Sequence, residues 1–304
     1  MNTPSSRVMS FVLFASLASL TLLGPAVAED QTGRVVALAR AHAHNDYEHD
    51  APLFDALAQG FTSVEADIWL VDGKLLVAHD LAQVKPERTL EALYLDPLRA
   101  LVQANDGRVY PSFDHSLQLL IDIKSDGAET YRALHDVLAQ YSDILSVFSY
   151  RHVRENAVTA VISGNRPLEL IARQRVRYAA YDGRFSDVGT DADAAFIPLV
   201  SDNWTKQFKW DGVGPMPEDE KQKLHEFVAA VHGKGRRVRF WATPDDPERR
   251  QAVWSELVAA GVDYINTDDL AGLSAFLVEQ DPRASEPGVD WFGALGELVQ
   301  RTGD

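Results

Sequence analysis

Apolar and polar positions along the chain follow two alternating periods. Three stretches run helix-like, stop at a glycine and continue as a short apolar strand: "PLFDALAQGFTSVEADIWL", "KLHEFVAAVHGKGRRVRFWAT" and "VWSELVAAGVDYINTDD". Gly60, Gly235 and Gly261 each fit the left-handed position that follows a helix C-terminus. Helix, glycine and buried strand form the αβ half of a βα unit. Strands are predicted at 35–41, 62–69, 118–124, 157–163, 176–181, 195–201, 237–242 and 263–267. Helices are predicted at 52–59, 88–104, 128–140, 166–173, 217–232, 247–259 and 270–279. Eight strands alternating with helices predict a (β/α)8 TIM barrel, with a doubly wound parallel sheet as the alternative. The 80–117 stretch is too long for a plain βα connection and predicts an insertion. Residues 281–304 read as a tail with one weak amphipathic patch, "WFGALGELV".

The first 28 residues break this rhythm. Arg7 is their only charge, "VMSFVLFASLASLTLL" is an apolar core, and Ala26-Val27-Ala28 is a small-x-small cleavage site. This is the pattern of a cleaved signal peptide, with an apolar core short for a membrane span. It predicts an exported product, periplasmic or secreted, whose barrel occupies 29–280. No later stretch is apolar enough to cross a bilayer. The chain carries 45 acidic against 29 basic residues, a net charge of −16. That excess gives no compensation for a nucleic-acid backbone, and any phosphate chemistry needs a local cation, either a metal or placed basic residues. There is no cysteine, so stability rests on the core rather than on disulfides.

In a barrel of this kind chemistry sits at the C-terminal ends of the strands. Polar residues gather there. His44-Asn45-Asp46 follow the first strand, Glu65 and Asp67 lie on the second, and Asp122 and Lys124 close the third. Asn165-Arg166, Asp182, Asp202-Asn203-Trp204, Trp241 with Thr243, and Asp268-Asp269 mark the other ends. Glu65 and Asp67 are two apart in an extended strand and share one face. Two carboxylates facing a barrel interior repel and lose hydration, so they need a cation or shared protons. Oxygen-only ligands suit Mg²⁺ or Ca²⁺; arginines across the barrel would satisfy the same demand. Asp122 is a candidate third ligand and Lys124 a candidate anion contact, or the two form a plain ion pair. In "DGKLLVAHDL" the Asp72-Gly73 turn starts a hairpin that folds back over the mouth and brings His79 in from a different side than His44. Two histidines so placed suit paired acid and base work; the alternative for each is a structural histidine.

Together these residues carry a likeness. His42-Ala43-His44-Asn45-Asp46-Tyr47, Gly60, Glu65-Ala66-Asp67, Asp72-Gly73, His79-Asp80 and Asp122-Ile123-Lys124 occur in this order, with "FWAT" and "GVDYINTDDL" near the end. The set resembles the glycerophosphodiester phosphodiesterase and phosphatidylinositol-specific phospholipase C superfamily. It is most similar to the branch with an H-x-H-N-D-Y start, which includes the yeast altered-inheritance-of-mitochondria-type proteins. The resemblance implies a (β/α)8 barrel that cleaves phosphodiesters with one divalent cation. His44 and His79 take the positions of the catalytic histidines, and Glu65, Asp67 and Asp122 those of the metal ligands. Three positions depart from the common pattern: Asn45-Asp46 stand where R-G is usual, "APLFDA" replaces a P-E-N-T element, and Asp122 replaces a glutamate.

Lys124, His42, Asn45, Arg166 and Trp241 are the candidate substrate contacts. The expected substrate is a small-molecule or phospholipid phosphodiester, with transient contact to a membrane surface. The nucleophile is water or a neighbouring hydroxyl of the substrate, the latter giving a cyclic phosphate. Two rivals come from other classes. A barrel glycosidase needs carboxylates flanking a sugar, which Glu65 and Asp67 on one strand face do poorly. A non-catalytic barrel would bind metal or phospholipid head groups without turnover.

Overall fold

The computed structural model describes residues 34–149, 152–296 and 299–300; the candidate signal peptide lies outside them. Eight parallel strands form the barrel: β1 (Leu38–Ala43), β2 (Phe61–Val71), β3 (Leu117–Ile123), β4 (Val158–Gly164), β5 (Ala179–Gly183), β6 (Leu199–Asn203), β7 (Arg237–Trp241) and β8 (Tyr264–Thr267). Each pairs with the next, and β1 pairs with both β8 and β2, so the sheet closes on itself. This is the predicted (β/α)8 barrel and not a doubly wound sheet. The main covering helices are α1 (Asp96–Ala104), α2 (Gly127–Ala139), α3 (Glu218–His232), α4 (Arg250–Ala260) and α5 (Leu270–Gln280).

The apolar layer lies outside the ring, between strands and helices. Phe61, Ile68, Leu134, Leu138, Val238, Trp254 and Leu273 belong to it and are buried. At Gly60, Gly235 and Gly261 φ is 84°, 68° and 82°, as the helix–glycine–strand pattern requires. Gly60 is constrained twice, because a Cβ there would stand 2.3 Å from the Val36 carbonyl oxygen.

Strand ends differ from the sequence reading in three instructive places. β1 runs two residues further than predicted, which draws His42 inside the barrel and leaves His44 at the mouth. Val176–Arg177 pair with Val147–Ser149 in a small separate sheet, so β5 starts only at Ala179. Asp193 caps a turn by accepting from the Phe196 amide, which delays β6 to Leu199. The 80–117 segment meets the first loop through Arg88, which donates to the Tyr47 carbonyl, and through the buried Tyr94, whose hydroxyl donates to Asp46. Residues read from sequence as a tail close the barrel floor. Trp291, Phe292 and Leu295 cluster with the inward Leu120, Val161, Ala180, Leu199 and Tyr264, and the Trp291 indole donates to the Ala194 carbonyl at 2.7 Å.

Candidate active site

Above that floor the barrel interior is polar. Asp67 on β2 stands beside Asp122 on β3 in register, and Glu65 lies two residues earlier on the same face. One oxygen from each of Glu65, Asp67 and Asp122 lies within 4.8 Å of the others. Lys124 reaches Asp67 Oδ2 at 3.0 Å and Asp122 Oδ1 at 3.2 Å. Gly164 makes room for this cluster, since a Cβ there would stand 2.2 Å from Asp122 Oδ1.

Charge is unevenly balanced. Burial disfavours ionised Glu65, but the Arg239 guanidinium at 2.8 Å and a hydrogen bond from His42 hold its pKa well below the usual carboxylate range. Burial and then the nearby Glu65 charge push Asp67 up. Burial pushes Asp122 up to about 6, against the pull of Lys124. Three carboxylates thus face two fixed cations, Lys124 and Arg239, and the Oδ1 atom of Asp67 is buried without a hydrogen-bond partner. An all-oxygen donor set with one orphaned carboxylate oxygen and an excess of negative charge fits a hard divalent cation.

Both mouth histidines are anchored through Nδ1. His44 meets Asp268 Oδ1 at 2.8 Å. Burial opposes its charge, but the Asp268 hydrogen bond with the Glu65 charge prevails and raises its pKa. His79, brought in by the hairpin strand Lys74–Val77, lies 3.1 Å from the Tyr47 hydroxyl and 3.3 Å from Asp67 Oδ2. In each ring Nε2 is left as the nitrogen available to a substrate. The cleft has a volume of about 460 Å³. His44, Asn45, Glu65, His79, Asp122, Lys124 and Trp241 line it, together with Asn165, Arg184 and Arg239.

Two sequence-predicted contacts lie elsewhere. His42 is fully buried beneath Glu65 and cannot touch a substrate. Its Nδ1 faces Ser63 Oγ at 2.7 Å and its Nε2 faces Glu65 at 3.4 Å. Burial, helped by Arg239, lowers its pKa to about 3, so it is a neutral support for Glu65. Arg166 turns away from the cleft. Its guanidinium stacks 4.8 Å from the Tyr181 ring centre and donates to the Gly164 carbonyl. Arg184 takes a place on the cleft wall instead, held by Asp182 at 2.6 Å. Of the other tryptophans, Trp204 and Trp210 are buried in packing.

Arg239, Arg184, Asp268 and Tyr47 are the participants that sequence reasoning gave no role. For Arg239 a signal existed: Arg237, Arg239 and Trp241 alternate along β7 and share one face, as Glu65 and Asp67 do on β2.

Asp46 shapes the loop rather than the chemistry. Its Oδ2 accepts from the Leu53 amide at 2.6 Å and the Tyr94 hydroxyl at 2.8 Å. Burial raises its pKa to about 6. The native state therefore binds this proton more tightly than the unfolded chain, so its contribution is greatest at low pH and is lost as pH rises through 6. Relative to Asp46→Asn, the wild type is expected to gain roughly 2 kcal/mol of stability between pH 7 and pH 4. Urea melts of both proteins across that range check this; parallel pH profiles would contradict it.

A family profile described as an AIM6-like phosphodiesterase domain matches residues 30–182, and one for the glycerophosphoryl diester phosphodiesterase family matches 237–271. Altered inheritance of mitochondria protein 6 of Eremothecium gossypii is 33% identical over 284 residues, covering 81% of this chain and 71% of that protein. The protein of the same name from Lachancea thermotolerans is 29% identical over 281 residues, 79% of this chain and 66% of its own length. The Arthroderma benhamiae homolog is 29% identical over 254 residues, 75% and 81%. The first profile runs from the start of the barrel through Asp182 and takes in every histidine and carboxylate of the acid cluster's wall, so the chain belongs to the family of AIM6-like phosphodiesterase domains.

Proposed function

We propose that this chain hydrolyses phosphodiesters, with one divalent cation, Mg²⁺ or Ca²⁺, held by Glu65, Asp67 and Asp122, and with His44 and His79 transferring protons. The observation that carries this reading is the pairing of an oxygen-only acid cluster with two histidines, each anchored through Nδ1, in one cleft. A cation held by these three carboxylates would supply Lewis acidity and offset negative charge on the phosphate. Lys124 holds a non-bridging oxygen of the substrate. His79 Nε2 accepts the proton of the attacking hydroxyl, and His44 Nε2 returns one to the leaving alkoxide. Asp268 favours the charged form of His44 and so suits it to the acid role. If the hydroxyl belongs to the substrate the first product is a cyclic phosphate, which ³¹P NMR of the reaction distinguishes from direct hydrolysis.

The substrate class is a small-molecule or phospholipid head-group diester. Phe54, Leu81, Leu168 and Val213 are exposed large apolar side chains on connections that leave the C-terminal ends of β1, β2, β4 and β6. Exposed apolar side chains on these connections support transient contact with a lipid surface. The leader-like pattern of residues 1–28 supports export to the periplasm or medium.

Chelation is the direct test. EDTA is expected to abolish turnover of bis-p-nitrophenyl phosphate, and added Mg²⁺ or Ca²⁺ to restore it. Full activity in EDTA would remove the cation from the mechanism and leave Lys124, already paired with Asp67 and Asp122, as the resident positive charge.

A further inference from the structure

The Tyr47 hydroxyl sits at a junction. It lies 2.6 Å from Asp67 Oδ2, 2.8 Å from the Asn45 side-chain oxygen and 3.1 Å from His79 Nδ1. The ring is buried, at 2% exposure. A phenol has one hydrogen to give. The shortest contact takes it, so Tyr47 donates to the Asp67 carboxylate. The phenol oxygen is then an acceptor only. Asn45 meets it with the amide NH₂, since the oxygen and nitrogen ends of that side chain are interchangeable by a flip.

The same count fixes His79. Its Nδ1 faces two atoms, the Tyr47 oxygen and Asp67 Oδ2. With the hydroxyl hydrogen spent on Asp67 Oδ2, an oxygen that also accepts from Lys124, both are acceptors. Of the two neutral tautomers, these contacts therefore select the one with the proton on Nδ1 and the lone pair on Nε2. On the other side, Asp67 Oδ2 is occupied by Tyr47 and Lys124. The remaining oxygen, Oδ1, is the buried one without a partner.

We infer that Tyr47 is a positioning residue that sets two groups at once: it fixes His79 in the Nδ1–H tautomer, with Nε2 ready to accept a proton, and it turns Asp67 so that Oδ1 is the oxygen offered to a cation. This rests on the hydrolase reading for its purpose, but not for its test. Nothing in the phenol touches the reacting atoms; it acts through its two neighbours.

Tyr47→Phe removes the hydroxyl and keeps the ring. ¹⁵N shifts of histidine-labelled full-length protein report which nitrogen of His79 bears the proton. The wild type is expected to show Nδ1–H, and Tyr47→Phe to lose that preference. Mg²⁺ affinity by calorimetry is expected to fall about 10-fold in the variant, and kcat to fall more than KM changes. A wild-type His79 protonated on Nε2 overturns the inference, as does a Tyr47→Phe protein with the wild-type tautomer or wild-type Mg²⁺ affinity. Absence of diester turnover in the wild type, with the tautomer as expected, would count against the hydrolase reading and leave the positioning role standing.

Discussion

Alanine at His44 or at His79 is expected to lower kcat on a diester by about 10²–10⁴-fold, the usual cost of losing one proton-transfer group. The side chains are 30% and 52% exposed, so neither supports the core and melting temperatures should stay near the wild type. KM is expected to change little, because in the proposed mechanism the phosphate is held by Lys124 and by a cation on the acid cluster, not by the histidines. The two losses should not add in the double variant, since acid and base act on the same displacement. Asp268→Asn is expected to be milder, because it keeps a hydrogen-bond acceptor for His44 Nδ1 and loses only the charge. Turnover within 10-fold of the wild type in either alanine variant would sink the assignment of that histidine.

Arg239→Ala carries the largest expected effect on stability. Arg239 and Glu65 are 2% and 5% exposed and joined at 2.8 Å. Arg239 also donates to Asn266. Removing the guanidinium leaves a buried carboxylate without its countercharge, which costs about 3–5 kcal/mol. For a chain of this size that is a fall of the order of 10 °C in melting temperature. Glu65→Gln added to Arg239→Ala is expected to recover part of the loss, because the orphaned charge goes with it, without restoring the proposed diester turnover. That split separates the stability role of the pair from the proposed role of Glu65 as a cation ligand. A melting temperature within 2 °C of the wild type for Arg239→Ala would contradict the account.

Glu65, Asp67 and Asp122 were legible because a strand period of two assigns faces without any knowledge of neighbours. Lys124 and the hairpin that carries His79 followed from the same rule and from the Asp72-Gly73 turn. Arg239 obeys that period too. Its role depends on which strand faces it across the barrel, however, and closure of β1 onto both β8 and β2 is a long-range fact that local pattern does not hold. His42 and His44 share a strand face and differ only in depth, so a two-residue error in the end of β1 decided which could meet a substrate. Arg166 failed for a local reason: Gly164 adopts φ 67°, and the chain beyond it turns the guanidinium onto Tyr181. Tyr47 was visible as a motif letter, but its three hydrogen bonds join residues 45, 67 and 79, and only the folded loop reveals them.

The close approach at Gly164 bears on ion size. A Cβ there would come within 2.2 Å of Asp122 Oδ1, and ordinary contact would require the carboxylate to retreat by about 1 Å. Mg–O and Ca–O bonds differ by only about 0.3–0.5 Å. The absence of a side chain at this one position on β4 thus fixes where an oxygen of the acid cluster can stand, by a margin wider than the difference between the two ions' bond lengths.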